Sequence, residues 1–167
     1  MVRLRALEPE DLELLYTIEN DTSLWWLGTQ TAPYSRYALR DYIANSQADI
    51  YKDEQVRFVI EEDGNAVGMA DLYDFSPRNM RAEVGIALLR SAQGRGIARK
   101  ALTLLHDYAR NVVHLHQIYA VVPESNTASI RMLDDCGYEH TATLKDWILH
   151  GENMENVVVM QFFCSKT

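Results

Sequence analysis

The chain has 167 residues, of which 47% are hydrophobic and 24% charged, and it carries a formal net charge of −8. That length and mix fit a single globular domain over residues 1–167 and exclude a disordered chain. The acidic balance argues against gripping nucleic acid or an anionic membrane, and it favours a cationic partner.

No apolar run approaches the roughly 18 residues needed to cross a bilayer. The start, Met1-Val2-Arg3-Leu4-Arg5, lacks the apolar core of a signal peptide. Cys136 and Cys164 are too few for a disulfide framework. They read as two reduced thiols in a cytoplasmic protein. His106, His114, His116, His140 and His150 are scattered and make no zinc spacing with them, so no metal is expected.

In chain order, residues 3–6 read as a short strand. Pro9 suits the first turn of a helix, with Glu10 and Asp11 at its positive end and Leu12, Leu15 and Ile18 as its apolar stripe. Asn20 and Asp21 end it. Ser35 is a good N-cap for a second helix, with Tyr34 and Leu39 spaced as a hydrophobic staple. Residues 56–61 and 66–73 flank Asp63-Gly64 as a hairpin, and 82–89 form a third strand.

Ile97, Ala101, Leu104, Leu105, Tyr108 and Val112 recur at helical spacing. Residues 118–122 are a strand closed by Pro123. Asn126 caps a further helix carrying Ile130 and Leu133, and Gly137 stops it. Residues 138–144 and 157–163 are the last strands. The order β-α-α-β-β-β-α-β-α-β-β is that of an α+β domain with a mixed sheet.

Charge is uneven along the chain. Residues 78–110 hold 7 basic and 2 acidic side chains, a local net of +5 between acidic flanks. Such a run is often a solvated helix face. Here it contains Gln93-Gly94-Arg95-Gly96-Ile97-Ala98-Arg99-Lys100, where a strand passes through a glycine loop straight into a helix. Small residues at Gly94, Gly96 and Ala98 let a ligand approach the main chain. Free N–H groups at the helix start favour an anion. Neither a P-loop nor a complete dinucleotide fingerprint is present, because position 99 is arginine where the latter needs glycine.

Gln93-Gly94-Arg95-Gly96-Ile97-Ala98 resembles the Gln/Arg-x-x-Gly-x-Gly/Ala signature of GNAT N-acetyltransferases. The resemblance continues in Leu4-Arg5-Ala6-Leu7-Glu8-Pro9-Glu10-Asp11-Leu12, in Arg57-Phe58-Val59-Ile60-Glu61 with Gly64, in Arg81-Ala82-Glu83, and in Pro123, Glu124, Asn126 and Cys136-Gly137-Tyr138. Within the family the chain is most similar to bacterial spermidine/spermine N-acetyltransferases and more distantly to ribosomal-protein N-terminal acetyltransferases. The resemblance implies a GNAT fold, a mixed, mostly antiparallel sheet flanked by helices. It implies acetyl-CoA as cosubstrate and transfer to a primary amine, either a small cationic amine or a peptide N-terminus. Assembly into a homo-oligomer is common in the family.

By the same resemblance, Ile86, Ala87 and Leu88 would pair with the pantetheine arm. Gln93, Gly94, Arg95, Gly96, Ile97, Ala98 and Arg99 would hold the pyrophosphate, and Asn126 would line the thioester end. Aminolysis needs a proton acceptor for the amine. Glu83, the acid on the cofactor strand, is the candidate, for amine recognition or as a water-relayed base. Its alternative is an exposed carboxylate paired with Arg81.

Two departures stand out. Leu133 occupies the position where many relatives have a thiolate-protonating tyrosine, and leucine cannot donate a proton. Cys136 and Tyr138 are the nearby alternatives, each better read as core. Polyamine enzymes carry acids around positions 29–33, where this chain has none, so that segment lends spermidine no support. Trp25 and Trp26 there either stack on a cation or pack between the first two helices. Glu19 and Asp21 remain as nearby negative charge. Three functions follow: an acetyl-CoA-dependent N-acetyltransferase, an acetyl-CoA-binding module that has lost catalysis through Leu133, and an anion-stabilised structural domain that binds no CoA.

Overall fold

The structure is a computed structural model that describes residues 1–164. Among these residues seven strands form one sheet: β1 (Val2–Ala6), β2 (Val56–Glu62), β3 (Asn65–Ser76), β4 (Arg81–Leu88), β5 (Gln117–Pro123), β6 (Glu139–His150) and β7 (Asn153–Phe163). Their spatial order is β1-β2-β3-β4-β5-β7-β6. Every neighbouring pair is antiparallel except β4 with β5. The longer helices are α1 (Leu12–Glu19), α2 (Arg36–Asn45), α4 (Ile97–Tyr108) and α5 (Thr127–Asp135), with a single turn, α3 (Ile50–Asp53), after α2. The expected α+β order is present with short helical turns added.

Strand period two divides the sheet between two helix layers. Ala70, Leu72, Ala82, Val84, Ile118 and Ala120 bury one face against Ile97, Ala101, Leu102 and Leu105 of α4 and Leu133 of α5. Val59 and Met69 point the other way, against Leu14 and Leu15 of α1 and Leu39 of α2. That second cover stops short. Beyond it the same face carries Arg57, Asp71, Tyr73, Glu83 and Tyr119, which lie in register across four strands.

Several local devices read from the sequence hold. Asp11 is buried at the entry to α1; it accepts both terminal nitrogens of Arg5 at 2.8 and 2.9 Å and the Glu8 N–H at 2.8 Å. Ser35 Oγ accepts the Ala38 N–H at 3.0 Å and caps α2. Tyr34, expected to staple Leu39, stays exposed; its main chain is instead held at both N–H and C=O by the Asn20 amide.

Two further expectations are corrected. The helix expected to run through Val112 stays regular only to Tyr108 and continues as a π turn, Ala109–Val113. The extra residue in that turn shifts the helical face, so Val112 is 63% exposed and Val113 is buried. The last two strands extend beyond 144 and begin before 157, because their outer halves are an exposed edge hairpin without hydrophobic alternation. Between α1 and α2, residues Thr22–Leu27 form a 3-10 helix capped by Asp21.

Candidate active site

The site begins where β4 and β5 separate. Their parallel register holds for three pairs, Arg81 with Gln117, Ala82 with Ile118 and Glu83 with Tyr119. From Val84 onward β4 pairs with β3 alone, while β5 continues against β7 to Pro123. The main-chain groups on the facing edges of the fork therefore have no sheet partner. A cavity of about 860 Å³ opens there. Its walls include Glu83 to Ile86 of β4, Tyr119 to Pro123 of β5, and Asn126, Ser129 and Leu133 at the start and end of α5. It passes through the sheet from the α5 side to the polar face beside α1.

Glu83 sits at the base of the fork and is half-buried. Burial pushes its carboxyl above the ordinary carboxylate range and Asp74 adds to the rise, while a hydrogen bond donated by Tyr73 opposes it. Tyr73 is the antiparallel register partner of Glu83, and Tyr119 is its parallel one. The Tyr119 hydroxyl donates to Asp74 Oδ2 at 2.5 Å. Two tyrosine–carboxylate pairs thus line one end of the cavity. The alternative role for Glu83, an exposed partner of Arg81, does not fit: the carboxylate is recessed and turned to Tyr73.

Neither Glu19 nor Asp21 is available as loose negative charge. Glu19 accepts Arg57 Nη1 at 2.8 Å, and the same guanidinium is bidentate on Asp71 at 2.9 and 3.0 Å. Asp21 caps the 3-10 segment, accepting both the N–H and the hydroxyl of Ser23. Both tryptophans are half-buried and lie outside the core between α1 and α2. Trp25 Nε1 donates to the Glu19 carbonyl at 3.0 Å. Trp26 stacks on His150 of β6, with ring centroids 3.7 Å apart and planes 4° from parallel.

At the other end of β4 the chain turns through Arg90–Ala92 and reaches Gly94 and Gly96 at φ +72° and +77°. These are left-handed conformations that side chains resist. A Cβ at either glycine would meet no atom within 4 Å, so the space above the loop is open. Gly96 is the N-cap of α4, and the N–H groups of Ile97, Ala98 and Arg99 point out of the first turn. Ile97 is 1% exposed and its side chain belongs to the core, which leaves only its main chain at the surface.

The side chains of the loop are less free than their charge implied. Gln93 Nε2 donates back to the Leu88 carbonyl at 3.2 Å. Arg95 pairs with Glu62 at 2.7 Å and Arg99 with Asp135 at 2.5 Å. The loop therefore offers an anion chiefly main-chain amides, with paired guanidinium groups at its rim. Of the cofactor-strand candidates, Ile86 lines the cavity, while Ala87 and Leu88 continue the unpaired edge beyond it toward the loop. Asn126 Oδ1 accepts the Ser129 N–H at 3.3 Å, so α5 starts at the cavity wall.

Leu133 is 3% exposed and faces both core and cavity. Cys136 is half-buried and outside the cavity lining. Tyr138 is buried and its hydroxyl lies 2.9 Å from His106 Nε2, deep in the core. Neither offers a proton to the cavity.

Tyr73, Asp74, Tyr119 and Trp147 were not singled out in the sequence, whereas the segment compared there with the acceptor region of polyamine enzymes supplies the lip at Leu27, Gly28 and Thr29. The alternation Asp71-Leu72-Tyr73 put Tyr73 on the polar face, but only strand register brings it to Glu83. Among the described residues no group of three or more His, Cys, Asp or Glu side chains could hold a metal ion, and no helix is long and apolar enough to cross a membrane.

Comparison with known proteins agrees with this architecture. The acetyltransferase (GNAT) domain family matches residues 2–139. The spermidine N(1)-acetyltransferase of Escherichia coli strain K12 is 27% identical over 164 residues, covering 97% of this chain and 86% of that protein. A crystal structure of the Vibrio cholerae spermidine N-acetyltransferase in complex with CoA and spermine superposes with a TM-score of 0.86 at 26% identity, covering 99% of this chain and 96% of that one. A dodecameric structure of the same Vibrio enzyme gives a TM-score of 0.82 at 27% identity, over 98% and 94% of the two chains. A fork between parallel strands, a glycine loop at the start of a helix and a family match over most of the chain converge on one conclusion: this protein belongs to the GNAT acetyltransferases and moves an acetyl group from acetyl-CoA to an amine.

Proposed function

We propose that the acceptor is a small aliphatic amine bearing positive charge, with polyamines such as spermidine the first class to test, and that Glu83 receives it. The observation that carries this reading is the half-buried Glu83 carboxylate in the wall of a cavity of about 860 Å³, with Asp74 lining the same end. An alkylammonium entering from the α1 side meets two carboxylates there and an aromatic wall at Trp147. The polyamine acetyltransferases among its relatives support the same class.

The residues fit acetyl-CoA at the opposite end. The amides from Gln93 to Arg99 would receive the pyrophosphate, with Gly94 and Gly96 leaving room for it. The unpaired edge at Ile86, Ala87 and Leu88 would run beside the pantetheine, and Asn126 would stand near the thioester. Bound acetyl-CoA supplies the activated acyl carbon. The protein's part is to hold the amine against that carbon and to take up its proton. Glu83, with its carboxyl raised by burial, would accept that proton through water and keep the nitrogen neutral for attack. As the new carbon–nitrogen bond forms, the carbon–sulfur bond breaks. Leu133 contributes shape only, so water is the proton source for the departing thiolate.

We also infer a cytoplasmic enzyme, in keeping with the free thiols Cys136 and Cys164, and an assembly of several copies, as in the dodecameric relative. The test is acetyl-CoA turnover against spermidine, spermine, monoamines, amino acids, aminoglycosides and N-terminal peptides. Preferential acetylation of polyamines or other alkyl amines supports the reading. Acetylation of peptides alone would replace it, and CoA binding without turnover on any amine would favour a module that has lost catalysis.

A further inference from the structure

The 3-10 segment Thr22–Leu27 leads into Leu27, Gly28 and Thr29, which form one lip of the cavity. Trp147 and Ile148 of β6 form the facing lip. None of the six residues in the 3-10 segment is buried, so hydrophobic burial does little to fix it. Its other anchors are Asp21 at its start, which also lies 3.9 Å from Arg90, and the Trp25 indole on the Glu19 carbonyl. The contact that carries it across to β6 is the Trp26–His150 stack, nearly parallel at 3.7 Å.

His150 is not a free ring. Its Nδ1 lies 3.3 Å from Glu155 Oε2 on β7. The other carboxylate oxygen of Glu155 accepts the Ser125 N–H at 2.7 Å, and the bonds to Ser125 and His150 both hold this carboxyl below its usual range. Ser125 immediately precedes Asn126, the N-cap of α5 in the cavity wall. A continuous set of contacts thus runs from the start of α5 through Glu155 and His150 to Trp26 on the opposite lip.

We propose that Trp26 and His150 are positioning residues: their stack latches the Thr22–Leu27 segment to β6 and sets the width of the acceptor entrance, with Glu155 orienting the imidazole. This rests on the reading that an amine enters between those lips. The stack touches neither the glycine loop nor Glu83, and Glu155 keeps its bond to Ser125 without the imidazole, so the latch acts on amine capture and leaves cofactor binding alone. A flat ring at position 150 is what the stack requires. The bond to Glu155 only fixes the plane of that ring.

The test compares native protein with His150→Ala and His150→Phe by two readouts. Hydrogen exchange at residues 22–29 reports the latch without any substrate. Steady-state kinetics on the best amine of the acceptor panel report its consequence. His150→Ala should speed exchange at 22–29 and raise KM for the amine roughly three- to tenfold, the size of one aromatic contact, with kcat and CoA affinity retained. His150→Phe should recover most of both effects, which a general loss of packing would not. Unchanged exchange in His150→Ala would overturn the latch. Faster exchange with an unchanged amine KM would overturn its positioning role. A native protein that acetylates no amine would refute the acceptor reading, while the exchange measurement would still decide the latch.

Discussion

Glu83 and Tyr119 are the last register pair between β4 and β5, and beyond them the two strands part. That one relationship organises the site. It puts a carboxylate at the base of a fork whose open edges face a cavity, and it sets Tyr73 and Tyr119 on either side of that carboxylate. Each strand stays paired on its far side, β4 with β3 and β5 with β7, so the sheet tolerates the opening. The glycine loop follows β4 after the short turn Arg90–Ala92, which sets the start of α4 beyond the far end of that strand.

The first prediction concerns that loop. Gly96 sits at φ +77° in open space, so substitution meets strain and no clash. Gly96→Asn and Gly96→Asp should each cost about 1–2 kcal/mol of stability from the left-handed backbone, less for asparagine. Only Gly96→Asp would place a carboxylate where the loop amides are proposed to receive the phosphate oxygens. CoA affinity, measured by calorimetry, should fall roughly 10- to 100-fold further in Gly96→Asp than in Gly96→Asn, the scale of charged hydrogen bonds. Equal affinities in the two folded variants would remove the phosphate from this loop.

Tyr73 donates to Glu83 and opposes the rise that burial imposes. Tyr73→Phe deletes the bond and keeps the ring. The Glu83 carboxyl should then rise further, and the acidic limb of kcat/KM should move to higher pH. A limb that stays in place would mean that Glu83 does not set it.

Leu133 faces the cavity from a buried position. Leu133→Tyr should lower stability by about 1–3 kcal/mol through overpacking. If its hydroxyl reaches the departing sulfur, turnover rises and a basic limb appears that the native pH–rate profile lacks. That limb is the expected outcome. A profile identical to the native one would show that water already protonates the thiolate as well as a tyrosine does.

His106 tests the core. Burial, with Arg110 adding, pushes its imidazole from the ordinary 6.5 down to about 4. The folded protein keeps it neutral beside Tyr138, with its ring stacked 3.9 Å from Phe162. Between these two values the unfolded chain binds the proton more readily than the folded one. This stabilisation is therefore complete above about pH 6.5, declines as pH falls toward 4 and levels off below it. Urea unfolding from pH 7 to 4 should show that slope, and His106→Gln should flatten it.

What could be read from the sequence was what is local. The loop at Gly94 and Gly96 needed only two backbone angles and a helix start, and both are written in adjacent residues. Ser35 and Asn126 are caps that act within three residues. Glu83 could be singled out as the acid on its strand, but Tyr73 and Tyr119 could not be tied to it. Their meeting depends on register across three strands, which no spacing in the chain displays. Val112 fitted a regular helix and failed because the π turn that contains it breaks the period. Trp26 and His150 lie on different elements far apart in the chain, and neither carries a local signal for the other. The charges of Arg95 and Arg99 were legible, whereas their neutralisation by Glu62 and Asp135 was not.

The most direct test of the account is the kinetics of Glu83→Gln on the preferred amine, with CoA affinity measured in parallel. The substitution keeps the size of the side chain and its link to Tyr73 while removing the charge. The account predicts a rise in amine KM of roughly 10- to 100-fold, the scale of one lost charged hydrogen bond. It further predicts a lower kcat, loss of the acidic limb and unchanged CoA affinity. A Glu83→Gln enzyme with native KM, kcat and pH profile would contradict it.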